Sequence, residues 1–85
     1  MQLRQNQLAR PNVKVVTNTT FTVPDNYSFA TFVNVGAADG SIDFGNGQVM
    51  PISNKESLTM PYVGNSYSET KVDATGTIIK VIWLP

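Results

Sequence analysis

From Asn12 to Trp83 apolar and polar residues alternate with a period close to two, and no stretch holds the 3.6-residue spacing of an amphipathic helix. Turn signals interrupt that alternation every several residues. Asn18-Thr19, Pro24-Asp25-Asn26, Gly36-Ala37-Ala38-Asp39-Gly40, Gly45-Asn46-Gly47, Asn54-Lys55-Glu56, Gly64-Asn65-Ser66 and Asp73-Ala74-Thr75-Gly76 each contain residues that favour turns. Asn46-Gly47 is the strongest local hairpin signal, because both positions of a tight primed turn need positive φ. Short alternating runs at this spacing predict an all-β fold: a small antiparallel β-sandwich, jelly-roll-like or Ig-like, of about seven or eight short strands.

At 85 residues there is room for one core. The expected organisation is an extended N-terminal arm over residues 1–12 and a single sandwich domain over residues 13–85. The expected inward set is Phe21, Phe29, Val33, Ile42, Phe44, Leu58, Ile79 and Val81. In residues 28–35 both faces carry aromatic rings, Phe29 on one and Phe32 on the other. Such a run is either a central strand or a strand with one face against a partner.

The leader is Gln- and Asn-rich, with Leu3 and Leu8 as its bulky apolar side chains after Met1, and Pro11 closes it. Residues 1–10 hold Arg4 and Arg10 and no acid, whereas residues 11–85 hold four lysines against six acids. A basic arm on an acidic body suits an acidic partner surface. Two arginines fall short of the basic stripe that nucleic-acid binding requires, so no nucleic-acid partner is expected. Nor is a membrane partner, since no apolar run approaches spanning length. With no Cys the chain has no disulfide framework, which points to folding in a reducing cytoplasm.

The missing residue types also bound the chemistry. There is neither His nor Cys, so Ser/His/Asp and Cys/His nucleophile systems cannot be assembled. Asp25, Asp39, Glu56 and Asp73 flank predicted turns, where solvation and capping account for them. Asp39-Gly40-Ser41-Ile42-Asp43 is similar to a calcium loop but lacks its further oxygen ligands and closing Glu. No catalytic residue, cofactor or metal is therefore expected, and the chain reads as a binding module and not an enzyme. Charged residues are only 14% of the chain, a composition that suits life inside an assembly.

The stretches Thr20-Phe21-Thr22-Val23-Pro24-Asp25-Asn26-Tyr27 and Ala30-Thr31-Phe32-Val33-Asn34-Val35-Gly36 resemble the small β-domains of tailed-bacteriophage structural proteins. Ser57-Leu58-Thr59-Met60-Pro61-Tyr62-Val63-Gly64-Asn65 and Val72-Asp73-Ala74-Thr75-Gly76-Thr77, with the terminal Ile-Trp strand, carry the same resemblance over residues 19–84. The resemblance implies a virion component assembled in the host cytoplasm: a capsid decoration (auxiliary) protein, or a head-fibre or tail subunit. Its partners would be the major capsid protein or other virion proteins, in a homo-oligomer or bound to a lattice. The partner-binding candidates are Leu3, Arg4, Leu8 and Arg10 in the arm, with Phe32 and Trp83 on the body. The alternative is a carbohydrate-recognition or adhesin module of a fibre, in which Tyr27, Tyr62, Tyr67 and Trp83 offer ring faces to a sugar.

Overall fold

A computed structural model describes residues 10–85 of the chain. Eight strands make up its regular structure: β1 (Asn12–Thr17), β2 (Thr20–Val23), β3 (Phe29–Asn34), β4 (Gly40–Asp43), β5 (Val49–Ile52), β6 (Ser57–Met60), β7 (Thr70–Asp73) and β8 (Ile78–Leu84). They form two four-stranded antiparallel sheets, ordered β1-β8-β3-β6 and β2-β7-β4-β5. This interleaving of first with last strands is the jelly-roll arrangement, so the strand order decides between the two sandwich types the sequence left open. Asn12, counted with the arm by the sequence reading, already belongs to β1.

The turn chemistry acts as the sequence reading expects. Between β4 and β5, Asn46 and Gly47 take φ of 54° and 75°, and the Gln48 amide donates to the Gly45 carbonyl at 2.9 Å. That is a type I′ turn, whose twist matches that of the strands it joins. Four connections, residues 18–19, 35–39, 53–56 and 74–77, gather at one end of the sandwich. The other three, residues 24–28, 44–48 and 61–69, lie at the opposite end, where Asn12 pairs with Trp83 and the described chain begins and finishes.

The core between the sheets is Val16, Val23, Tyr27, Ala30, Phe32, Ile42, Ile52, Val72, Ala74, Ile79 and Val81. Ile42, Ile79 and Val81 are inward as expected. On β3 the expected face is reversed. Ala30, Phe32 and Asn34 are fully buried, while Phe29 and Val33 lie half-exposed on the outer side. Phe32 is therefore a core side chain and is corrected as a partner-binding candidate. Phe21, Phe44 and Leu58 pack against the core only partly buried.

Asn34 accounts for the reversal. Its amide nitrogen donates to the Ala38 and Ile52 carbonyls, each at 2.8 Å, and its side-chain oxygen accepts from the Gly36 amide and the Thr77 hydroxyl, each at 2.9 Å. Two donors and two acceptor sites are all that a carboxamide has, so this buried polar group is fully satisfied. Because side chains alternate along a strand, seating Asn34 inside carries Phe32 and Ala30 inside with it.

Candidate docking surface

The two outer faces of the sandwich differ in chemistry. Every Asp and Glu of the described chain lies in the β2-β7-β4-β5 sheet or in a connection; β1, β8, β3 and β6 contain none. On the acid-free sheet the register sets outward residues side by side in rows. Val13, Ile82, Thr31 and Thr59 form one row, and Val15, Lys80, Val33 and Ser57 the next. Phe29 sits beside Leu84 in a third, and the Val35 amide donates to the Ile78 carbonyl where the sheet ends. Val13 is 64% exposed, Val15 51%, Val35 44% and Ile82 43%. Single exposed apolar residues are ordinary, whereas a set that neighbours one another across strands is a candidate docking surface. Lys80 is the charged group in the middle of it.

Local sequence builds this face simply. β1 reads Asn-Val-Lys-Val-Val-Thr, and its register places Val16 inward on β8, so Val13 and Val15 must face out. Lys14, on the inner side of this edge strand, holds its ammonium 5.7 Å from the centre of the Phe21 ring. The ring faces the cation and packs, partly buried, against the core.

Of the arm candidates, Leu3, Arg4 and Leu8 lie outside the described residues. Arg10 is exposed, two residues ahead of β1, so the leader joins the body at the edge of the acid-free sheet. Trp83 points inward from β8, half-buried, with its ring centroid 5.4 Å from that of Phe21. The structure thus brings Arg10 to the edge of the outer face and sets Phe32 and Trp83 on its inner side. Val13, Val15, Val35 and Ile82 are the residues that the sequence reading did not single out. Their signal was present in the strand alternation, but it took the sheet order to show which strands share a face.

The aromatic residues do not assemble into one platform. Tyr27 and Tyr67 stack on each other at 5.1 Å between centroids, and their backbones form a bridge that ties residues 61–69 to the β2–β3 connection. The Tyr27 hydroxyl shares a 2.7 Å hydrogen bond with that of Thr70, and the Tyr67 hydroxyl donates to the Pro61 carbonyl at 2.6 Å. Burial pushes the Tyr27 phenol above its usual value near 10, with the Thr70 hydrogen bond opposing the shift. Tyr62 stands apart at 72% exposure in the 61–69 connection.

An apolar cleft of about 120 Å³ opens between β5 and β6, lined by Ile42, Met50, Ile52 and Leu58 with Glu56 beside it. Acids at both ends of the β2-β7-β4-β5 sheet serve the backbone. Asp43 accepts from the Gly45 amide at 2.8 Å and Asp73 from the Thr75 amide at 3.0 Å. The Thr75 hydrogen bonds hold the Asp73 carboxyl below its usual value. Among the described residues no three His, Cys, Asp or Glu side chains stand together as metal ligands would.

No protein-family model matches this chain, and no curated protein matches it. Among solved structures it is similar to one described as the structure of the Clostridium difficile EutQ protein, at 16% identity and a TM-score of 0.57. The match covers 88% of this chain and 50% of that one, so the chain spans about half the length of its structural neighbour. At that identity the likeness extends to the fold alone: this chain is a small all-β sandwich of two antiparallel sheets.

Proposed function

We propose that this protein is a non-enzymatic structural subunit of a virion, a capsid decoration or auxiliary protein, which docks on the shell through the outer face of the β1-β8-β3-β6 sheet and its N-terminal arm. The observation that carries the reading is the contiguous apolar, acid-free outer face built by Val13, Val15, Ile82 and Val35, with the leader joining the body at its edge strand. Jelly rolls occur in viral capsid domains and also in lectins and cupins, so the fold is compatible with this role and does not select it. The absence of His and Cys removes the commonest nucleophile and base systems and favours binding over catalysis.

The test is incorporation into purified virions, read by quantitative mass spectrometry as copies per particle. Val13→Lys with Ile82→Lys, and separately deletion of residues 1–9, are expected to leave the folded body intact and to lower the copy number at least about tenfold, the loss expected from a weakening of about 1.4 kcal/mol or more. Val13 and Ile82 lie outside the core, so circular dichroism of the double variant should retain the β-spectrum. Undiminished incorporation of both variants, or absence of the wild-type chain from the particles, overturns the reading.

A further inference from the structure

The sandwich has four sheet edges, and they are not equivalent. β5 carries Pro51 within the strand, and β2 and β6 are four residues long and run directly into Pro24 and Pro61. Proline and shortness are the usual devices that stop an edge from recruiting another strand. β1 has neither: it is six residues long with no proline or glycine, and among the described residues β8 is the strand bonded to it. The lysine placed to guard this edge, Lys14, is turned inward over Phe21.

The register shows which backbone groups β1 leaves open. The Val35 amide bonds to the Ile78 carbonyl, so Ile78, Lys80 and Ile82 direct their backbone groups to β3. In an antiparallel ladder alternate residues face alternate neighbours, so Ile79, Val81 and Trp83 face β1. Their register partners there are Val16, Lys14 and Asn12, and the Asn18 amide continues the series by donating to the Thr77 carbonyl at 3.0 Å. It follows that Val13, Val15 and Thr17 each present both N–H and C=O to the edge that no described strand covers.

That open set is symmetric about Val15. We infer that β1 pairs with β1 of a second copy of this chain, antiparallel about a twofold axis at Val15, joining two four-stranded sheets into one. Val15 then lies opposite the partner's Val15 and Val13 opposite the partner's Thr17, and every open group of the edge finds a partner. The twofold keeps the outer faces on the same side, so the Val13 and Val15 rows continue across the junction. The neighbouring register, centred on Lys14, sets like charges opposite one another and brings Pro11, which has no N–H, against the partner's Thr17. A register centred on Val16 runs Lys14 against Asn18, whose φ of 50° has already ended the strand. The partner is thus selected by backbone complementarity and charge, independently of the virion reading.

Because the chain has no cysteine, a single introduced thiol reports the register directly. Directly opposed residues of a hydrogen-bonded pair lie about 5.5 Å apart between Cα atoms, within the span a disulfide bridges. In the full-length protein under mild oxidation, Val15→Cys is expected to form a covalent dimer about tenfold faster than Val13→Cys or Lys14→Cys, through the high local thiol concentration of the paired state. Sedimentation velocity of the wild-type chain should show a monomer–dimer equilibrium that rises with concentration. Val15→Pro, which removes an edge N–H but no bond to β8, should shift it to monomer, with a thermal midpoint equal to the wild type's when both are dilute enough to be monomeric. Equal cross-linking at the three positions, faster cross-linking by Lys14→Cys, or a wild-type chain monomeric at all concentrations overturns the inference. The thiol series does not depend on the proline variant, so the register is decided even if Val15→Pro fails to fold. Failure of virion incorporation alone leaves the pairing of β1 untouched.

Discussion

The Thr77 hydroxyl donates to the side-chain oxygen of Asn34 at 2.9 Å across 43 residues of sequence, in a site closed to solvent. Asn34 also binds the β3–β4 connection through Gly36 and Ala38 and the end of β5 through Ile52. One side chain therefore fixes several of the connections at this end of the sandwich. Gly36 permits the arrangement, since a Cβ there would run into the Thr77 side chain and the Ile78 backbone.

Asn34→Ala should lower the unfolding free energy by about 3 kcal/mol or more, because it strands buried partners that cost about 1–3 kcal/mol each when unsatisfied. Chemical denaturation followed by Trp83 fluorescence measures the loss. Asn34→Asp should not rescue it, since the carboxylate lacks the two N–H donors that Ala38 and Ile52 accept. A variant of wild-type stability contradicts the assigned role.

The assignment of β3 faces makes a sharper contrast. Phe32→Ala is expected to cost about 3–5 kcal/mol by opening a cavity among Val16, Ile79 and the other core residues. Phe29→Ala, on the half-exposed side, should cost clearly less. If the two substitutions destabilise in the opposite order, the inward face has been misassigned.

Lys55 adopts φ of 70° at the tight turn in which the Glu56 amide donates to the Ser53 carbonyl at 2.9 Å. A side chain in the left-handed region costs about 1 kcal/mol relative to glycine. Lys55→Gly should therefore raise stability by up to about 1 kcal/mol, less the entropy that glycine adds to the unfolded chain. Denaturation midpoints of the two proteins, compared at equal m-values, decide it.

Tyr27 makes stability depend on alkaline pH. Burial raises its folded-state pKa above the unfolded value near 10, so its contribution is complete below that value and is lost as pH rises through the folded one. The wild-type midpoint should fall as pH rises above the unfolded value near 10, and Tyr27→Phe should flatten the fall. At neutral pH the same variant should cost about 1 kcal/mol for the lost Thr70 hydrogen bond. Asp73 acts with the opposite sign at the acid end: its folded pKa is depressed, so its contribution is present above the unfolded value near 3.8 and is lost as pH drops through the folded one.

The fold class was legible because alternation and turn chemistry are local. Thr20 to Val23 reads as a strand from four residues, and Gly45-Asn46-Gly47 reads as a hairpin because few other residues tolerate its φ values. The candidate surface was legible only in part. Arg10 and the arm stood out through charge, but Phe32 was assigned outward because a single strand with aromatics on both faces does not reveal which face is buried. The deciding partner of Asn34 lies 43 residues away.

By itself the sequence determined what is set within a few residues: strand and turn positions, the absence of His and Cys chemistry, and the basic character of the leader. The tertiary structure alone decided the jelly-roll strand order, the inward face of β3, the gathering of the acids away from the β1-β8-β3-β6 sheet, and the open edge of β1. The physical reason is that a strand's period of two fixes that its faces differ but not which faces meet. That choice belongs to long-range pairing, where β1 finds β8 and Asn34 finds Thr77.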